Sequence, residues 1–163
     1  MLIGIDPLLA GEALGLLRDM GHGDRIALVD CNFPAHFLGP PAIRIDTDIV
    51  TAGRAILSVM PLDAWIEQPI LRMERDGFPS DVMEAHHAFH DMTVETAGQW
   101  AMGSLERFRF YEEAQSCCAV FVTLERRPYA NFILTKGVIG PDGQVARPDR
   151  PAGRPPSARR PRR

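Results

Sequence analysis

Met20-Gly21-His22-Gly23-Asp24 runs directly into Arg25-Ile26-Ala27-Leu28-Val29-Asp30. A helical pattern ends at Met20, two glycines bracket one histidine, and an apolar run stops at an aspartate. Gly21 can take positive φ and end a helix. Gly23 removes side-chain bulk, so the backbone turns and His22 stands clear of its neighbours. The run Ile26 to Val29, β-branched at both ends, suits a buried parallel strand. Asp30 closes that strand, and in open α/β sheets ligands bind beyond the carboxyl ends of strands. His22 and Asp30 are therefore expected to face one cleft. Blander uses exist for both: a histidine after a helix commonly caps its last carbonyls, and an aspartate after a strand commonly forms a turn. A dinucleotide loop is excluded by context, because Gly21-His22-Gly23 follows a helix and precedes a strand.

Outward from this stretch, Leu9, Ala13, Leu16, Leu17 and Met20 form one apolar stripe, which predicts a helix from about Pro7 to Met20. After Asp30, the segment to Pro41 is rich in proline and glycine and reads as a shaped loop. Ala42 to Ile45 reads as a short strand. Asp46, Thr47 and Asp48 offer caps for a helix through about Met60. Ile70 to Met73 is a third strand, followed by an Asp76-Gly77 turn. Ser80 or Asp81 is expected to cap a helix through about Asp91, and Met92 to Gly103 is ambiguous. Glu106 to Ser116 reads as a helix, and Cys118 to Leu124 and Phe132 to Thr135 as strands. This alternation predicts an α/β layered domain over residues 1–140.

Beyond Gly140, proline, arginine and glycine dominate, and residues 141–163 are expected to form a disordered basic tail. That tail holds seven arginines against two aspartates, within a chain of net charge −3. The folded part is therefore acidic, which argues against nucleic acid as its ligand. With 163 residues and 45% hydrophobic content, one soluble domain is expected. No apolar run approaches the ~18 residues of a membrane span, and no signal peptide is evident, so a cytoplasmic location is expected. Cys31, Cys117 and Cys118 are not a disulfide framework and read as small hydrophobes in a reducing compartment.

Five segments stand out in order: Gly21-His22-Gly23-Asp24; Asp30 with Asn32-Phe33-Pro34-Ala35; Arg107-Phe108-Arg109-Phe110-Tyr111; Tyr129-Ala130-Asn131; and Leu134-Thr135-Lys136-Gly137-Val138. Together they resemble the RbsD/FucU family of sugar mutarotases over residues 1 to about 139. The resemblance implies a single-domain three-layer α/β/α sandwich around a mostly parallel or mixed sheet. It implies an isomerase that interconverts the anomers of a free monosaccharide without metal or organic cofactor. It also implies ring-shaped homo-oligomers, often decamers, with sites near subunit contacts.

The residue types suit that reaction. A cyclic sugar opens when a base removes the anomeric hydroxyl proton and an acid protonates the ring oxygen. The aldehyde rotates, and the ring recloses on its other face. Imidazole, titrating near ~6.5, is the natural shuttle. By resemblance, His22 is the proton donor, Asp30 binds sugar hydroxyls and orients the imidazole, and Arg107 hydrogen-bonds the sugar. Tyr129 and Asn131 contact the anomeric end, Tyr129 being a candidate second proton-transfer group. His36, on the loop after Asp30, is a further candidate for the sugar pocket. Ala130 and Pro128 look like the ribose pyranase branch. Arg107-Phe108, Phe110-Tyr111-Glu112 and the longer middle region look like the fucose branch, so L-fucose is the favoured substrate. D-ribose pyranase and a non-catalytic sugar-binding protein are the alternatives.

Other constellations are weaker. His86 and His90 share a helical face, but no third metal ligand is evident, and a solvated helix is the expected setting. Trp65 and Trp100 read as core or subunit-contact residues, with sugar stacking as the other use. No Gly-x-Ser-x-Gly elbow supports a serine hydrolase.

Overall fold

The apolar run forms as β1 (Arg25–Val29), and Ile26 to Val29 have no exposed surface on either face of the sheet. In this computed structural model, which describes residues 2–148, five further strands flank it. They are β2 (Ala42–Arg44), β3 (Ile70–Met73), β4 (Met102–Leu105), β5 (Ala119–Val122) and β6 (Phe132–Thr135), in the spatial order β2-β5-β1-β6-β3-β4. β1 and β2 each pair in parallel with β5, and β3 pairs in parallel with β4. Only β6 runs the other way, antiparallel to both its neighbours, β1 and β3. The register pairs Arg25 with Thr135 and Leu28 with Phe132.

The pleat divides the core into two layers. Ile26 and Leu28 of β1, with Phe121, Phe132 and Leu134, point to α1 (Gly11–Asp19), α3 (Ile49–Leu57) and α4 (Glu84–Ala97). Ala27 and Val29, with Val120, Val122 and Ile133, point to α2 (Ala35–Leu38) and α5 (Arg107–Gln115). The expected three-layer α/β/α sandwich is thus present, around a mixed sheet. On the first face, the Phe89 ring of α4 stacks on Phe132 at 3.9 Å between centroids.

Helix boundaries differ from expectation where a side chain captures backbone donors. α1 starts at Gly11 rather than near Pro7. The Asp6 side chain accepts from Leu8 N–H and its carbonyl from Leu9 N–H, closing a turn that ends before the helix. Asp48 caps α3 as expected, accepting from Val50 and Thr51 N–H. α4 is not capped by Ser80 or Asp81. Those residues lie in turns, and the cap is the His86 ring, which accepts from Met83 N–H. The helix then continues through Ala97, because Phe89 and Met92 bury against the core, and resolves the ambiguous segment.

The chain does not lose structure at Gly140. Ile139 bridges Val145, Ala146 N–H donates to the Val138 carbonyl, and the Arg147 guanidinium lies 4.6 Å from the Trp100 ring centroid. The remainder of the expected tail, 149–163, lies outside the described residues. Among the described residues, no helix is long and apolar enough to cross a membrane.

β6 leaves the sheet through Gly137, where a Cβ would press on the Leu62 carbonyl. Backbone does not yield as a side-chain tip does, so Gly137→Ala should cost about 1–3 kcal/mol. Gly15, exposed in α1 with open space around it, is the control. Gly15→Ala should raise stability by about 0.4–1 kcal/mol. Calorimetric midpoints of the two variants, moving in opposite directions, check the contrast.

Candidate functional site

The reversed strand decides where functional side chains meet. The first residues of β6 lie beside the last residues of β1 and β3. Asn131, just before β6, therefore reaches Asp30, just past β1. Its Oδ1 accepts from Asp30 N–H at 2.9 Å, and its Nδ2 donates to Asp30 Oδ2 at 3.0 Å. Asp30 Oδ1 accepts from Asn32 N–H at 2.9 Å. Both residues are buried. Burial pushes the Asp30 carboxyl above the usual aspartate range, against the hydrogen bonds from Asn32, Asn131 and Phe33, and the nearby Glu125 adds to the rise.

These two residues floor a cavity of about 230 Å³ at the carboxyl ends of the parallel strands. Drug-sized sites run to roughly 300–1,000 Å³, so this one suits a smaller ligand. Arg107, the first residue of α5, enters from one side, on a helix start capped by Glu106. Tyr129 enters from another, with its phenol donating to Asp76 Oδ1 at 2.7 Å. That bond to a carboxylate holds the Tyr129 proton and raises its titration above the ordinary tyrosine value. Phe33, Met73 and Tyr111 supply apolar wall. The arrangement offers one carboxylate, one guanidinium, one amide and one phenol around a small space, a donor and acceptor set that matches a polyol.

His22 is not in this cavity. The expectation that it shares a cleft with Asp30 is corrected by β1 itself. His22 precedes the strand and Asp30 follows it, and five extended residues at ~3.3 Å each separate the two ends by roughly 16 Å. His22 instead lines a second recess with Arg18, Met20, Lys136 and Val138. Its partner is Asp63, not Asp30: His22 Nε2 lies 3.1 Å from Asp63 Oδ1. Asp63 is 2% exposed and also accepts from Trp65 N–H at 2.9 Å. The Trp65 ring stands edge-on to the imidazole at 5.4 Å. A carboxylate only accepts, so Nε2 of this half-exposed ring carries the proton toward Asp63, and Nδ1 takes no part in that contact.

His22 does not cap α1. Lys136 does, its Nζ donating to the Leu17 and Met20 carbonyls at 2.6 Å each. Burial lowers the Lys136 ammonium's titration, and the positive charge of Arg18 adds to that. The left-handed φ expected at Gly21 falls at Gly23, with φ +85°, whose N–H donates to the Lys136 carbonyl. Gly21 N–H instead meets the Asp24 carboxylate at 2.7 Å.

Of the other residues, His36 lies exposed on α2 and does not line the cavity. His86, expected on a solvated helix, is fully buried, and its ring holds the Tyr129 carbonyl. Trp100 is a core residue. Burial pushes the Cys117 thiol up to about 12, so it stays protonated. Among the described residues, no group of three His, Cys, Asp or Glu side chains gathers around a metal-sized space. Sequence reasoning missed Asp63, while Trp65, read as a core or subunit-contact residue with sugar stacking as the other use, is exposed beside the imidazole. The available signal was an aspartate directly after the helix-ending Pro61-Leu62, which reads as an ordinary turn until the fold brings it to His22.

The RbsD / FucU transport protein family model matches residues 3–139. The fucose mutarotase of Mus musculus is 38% identical over 145 residues, covering 83% of this chain and 94% of the mouse protein. The crystal structure of FucU from Bifidobacterium longum superposes with a TM-score of 0.78 at 36% identity, covering 84% of this chain and 99% of the other. A fucose mutarotase from Streptococcus pneumoniae, solved in complex with L-fucose, gives 0.78 at 32% identity, with 85% and 100% covered. Bacillus subtilis RbsD complexed with D-ribose is more distant, at 21% identity and a TM-score of 0.64, and shares the fold alone. With a family model spanning most of its length and these relatives beside it, the chain belongs to the RbsD/FucU family.

Proposed function

We propose that this protein is a mutarotase that interconverts the α and β anomers of a free monosaccharide, with L-fucose as substrate. The observation that carries the reading is the polar cavity of Asp30, Arg107, Tyr129 and Asn131 in a chain similar to a fucose mutarotase over most of both lengths. D-ribose remains the alternative sugar, supported by Ala130 and Pro128 but by a more distant relative. The reading includes a cytoplasmic homo-oligomer; three free cysteines fit a reducing compartment.

In this reading the sugar lies in the cavity. Asp30 and Asn131 bind its hydroxyls, Arg107 donates two hydrogen bonds through its fork, and Tyr129 stands at the anomeric end. Ring opening moves one proton off the anomeric hydroxyl and one onto the ring oxygen, and closure reverses both. His22 is the donor: with Nε2–H held on Asp63, the proton it gives to the ring oxygen is carried on Nδ1 of the imidazolium, and Nδ1 takes a proton back on closure. Asp63 thus takes the orienting role expected of Asp30. One chain holds the cavity at one end of β1 and the imidazole at the other, so each working site takes His22 of the partner subunit. Oligomerisation is then a condition of catalysis, since a lone subunit holds two half-sites.

Three outcomes test this. In saturation-difference NMR on mixed L-fucose anomers, wild type should accelerate exchange, and His22→Ala should lose about 10²–10⁴-fold. Binding without any acceleration would instead identify a sugar carrier. Mixing inactive His22→Ala with inactive Asp30→Asn, under conditions that let subunits exchange, should restore part of the activity. Failure to complement in an exchanged oligomer would place the imidazole and the cavity of one site on one chain.

The third outcome concerns stability. Burial raises the Asp30 carboxyl's native titration above its unfolded value of 3.8. The stability this group contributes is fully present below that value and is lost as pH rises through its native value. At neutral pH the charged, buried carboxylate is therefore a liability retained for binding. Asp30→Asn should be inactive, and wild type should gain melting temperature relative to it as pH falls from 8 toward 3.8 and the Asp30 carboxyl takes up its proton. Melting temperatures between pH 3 and 8 check it.

A further inference from the structure

His86 is the buried titratable group that the proposed reaction leaves unused. It lies on the first turn of α4 and has no exposed surface. Its ring belongs to the layer on the far side of the sheet from Phe33, Tyr111 and the rest of the cavity wall, edge-on to Phe132 at 5.9 Å. Both ring nitrogens are committed. Nδ1 accepts from Met83 N–H at 3.1 Å, which fixes the proton on Nε2, and Nε2 donates to the Tyr129 carbonyl at 2.9 Å.

Tyr129 needs such a partner. Its φ of +61° is in the left-handed region, which a bulky residue adopts only when its surroundings hold it there. The same carbonyl also accepts from Asn131 N–H at 2.8 Å, closing a tight turn. At the other end of the residue, the phenol donates to Asp76, in a turn where Asp76 and Gly77 both have positive φ. Tyr129 is thus pinned at its main chain by His86 and at its tip by Asp76, with the ring between them over the cavity.

We propose that His86 is a positioning residue for Tyr129: it holds the main-chain turn that aims the phenol into the cavity, although it touches no substrate itself. The consequence for turnover rests on the sugar reading above. The coupling between His86 and Tyr129 does not, and can be read without any sugar. A solvated histidine at this place would have no such effect, and a purely capping one would change α4 without moving Tyr129.

The chain has two tyrosines, Tyr111 and Tyr129, so ¹³Cζ-labelled protein gives two resonances, assigned with Tyr111→Phe. In wild type, the Tyr129 signal should titrate above the ordinary tyrosine value. In His86→Leu it should fall back toward ~10, as the ring leaves Asp76. The kcat/KM for L-fucose should drop about tenfold, the worth of one well-placed hydrogen bond. His86→Gln, whose amide can donate to the Tyr129 carbonyl, should recover most of both. A folded His86→Leu with the Tyr129 titration unchanged would overturn the proposal. Should that variant not fold, ¹⁵N-histidine spectra of wild type serve instead. The His86 Nε2–H signal should move on saturation with L-fucose, and a signal that stays fixed while other site resonances shift would overturn the proposal. A moved Tyr129 titration in a protein inert toward every aldose would support the coupling and overturn the sugar reading instead.

Discussion

The pairing of Asp30 with Asn131 is the contact on which the cavity depends. A buried carboxylate is costly unless its lone pairs are occupied. Here the Asn131 amide answers both the Asp30 backbone N–H and its carboxylate, while Asn32 N–H takes the other oxygen. The two residues are 101 positions apart, and they meet because β6 enters the sheet reversed between β1 and β3. A parallel β6 would have carried Asn131 to the opposite end of the sheet.

The same reversal builds the second recess. As β6 leaves the sheet it passes the start of β1, and Lys136 becomes a weld. Its backbone pairs with Gly23 and Asp24, and its ammonium closes the carbonyl end of α1. Thr135 accepts from Asp63 N–H, and Gly137 donates to Pro61, so the segment carrying Asp63 is fastened alongside. His22 is then held by a carboxylate whose own backbone is tied to the strand. One strand, by its direction, thus furnishes an amide at one end and a platform for an imidazole at the other. The spacing between them is set by the length of β1.

Burial of the Asp30 carboxyl and the left-handed backbone of Tyr129 both work against stability. Asp30 and Asp63 are buried carboxylates, and Tyr129 sits in a conformation disfavoured for its side chain. Such features persist where surrounding structure over-determines them. The surroundings here are a strand core without exposed surface and the stacked Phe89 and Phe132 rings, with His86 reaching from that layer to the Tyr129 carbonyl. The apolar face of the sheet and the polar end of the sheet are therefore joined through one imidazole.

Much of the architecture was legible from local pattern. β1, β3 and β6 fall where their apolar runs begin and end, and the two-layer alternation follows from residues such as Ile26 against Ala27, because strand periodicity is a property of consecutive residues. Asp30, Arg107, Tyr129 and Asn131 also stood out as members of ordered motifs, which survive in one dimension, and the structure gathers all four around one cavity. Direction and distance were not. No pattern in Phe132 to Thr135 says that this strand runs antiparallel, and that fact brings Asn131 to Asp30 and fastens the Asp63 segment beside His22, while the length of β1 keeps His22 from Asp30 within one chain. Nor does a histidine in Glu84-Ala85-His86-His87 announce that its ring is buried against a tyrosine carbonyl 43 residues away. Contacts of that range are chosen by how the layers pack, so composition and spacing named the participants, and only the folded chain assigned them their partners.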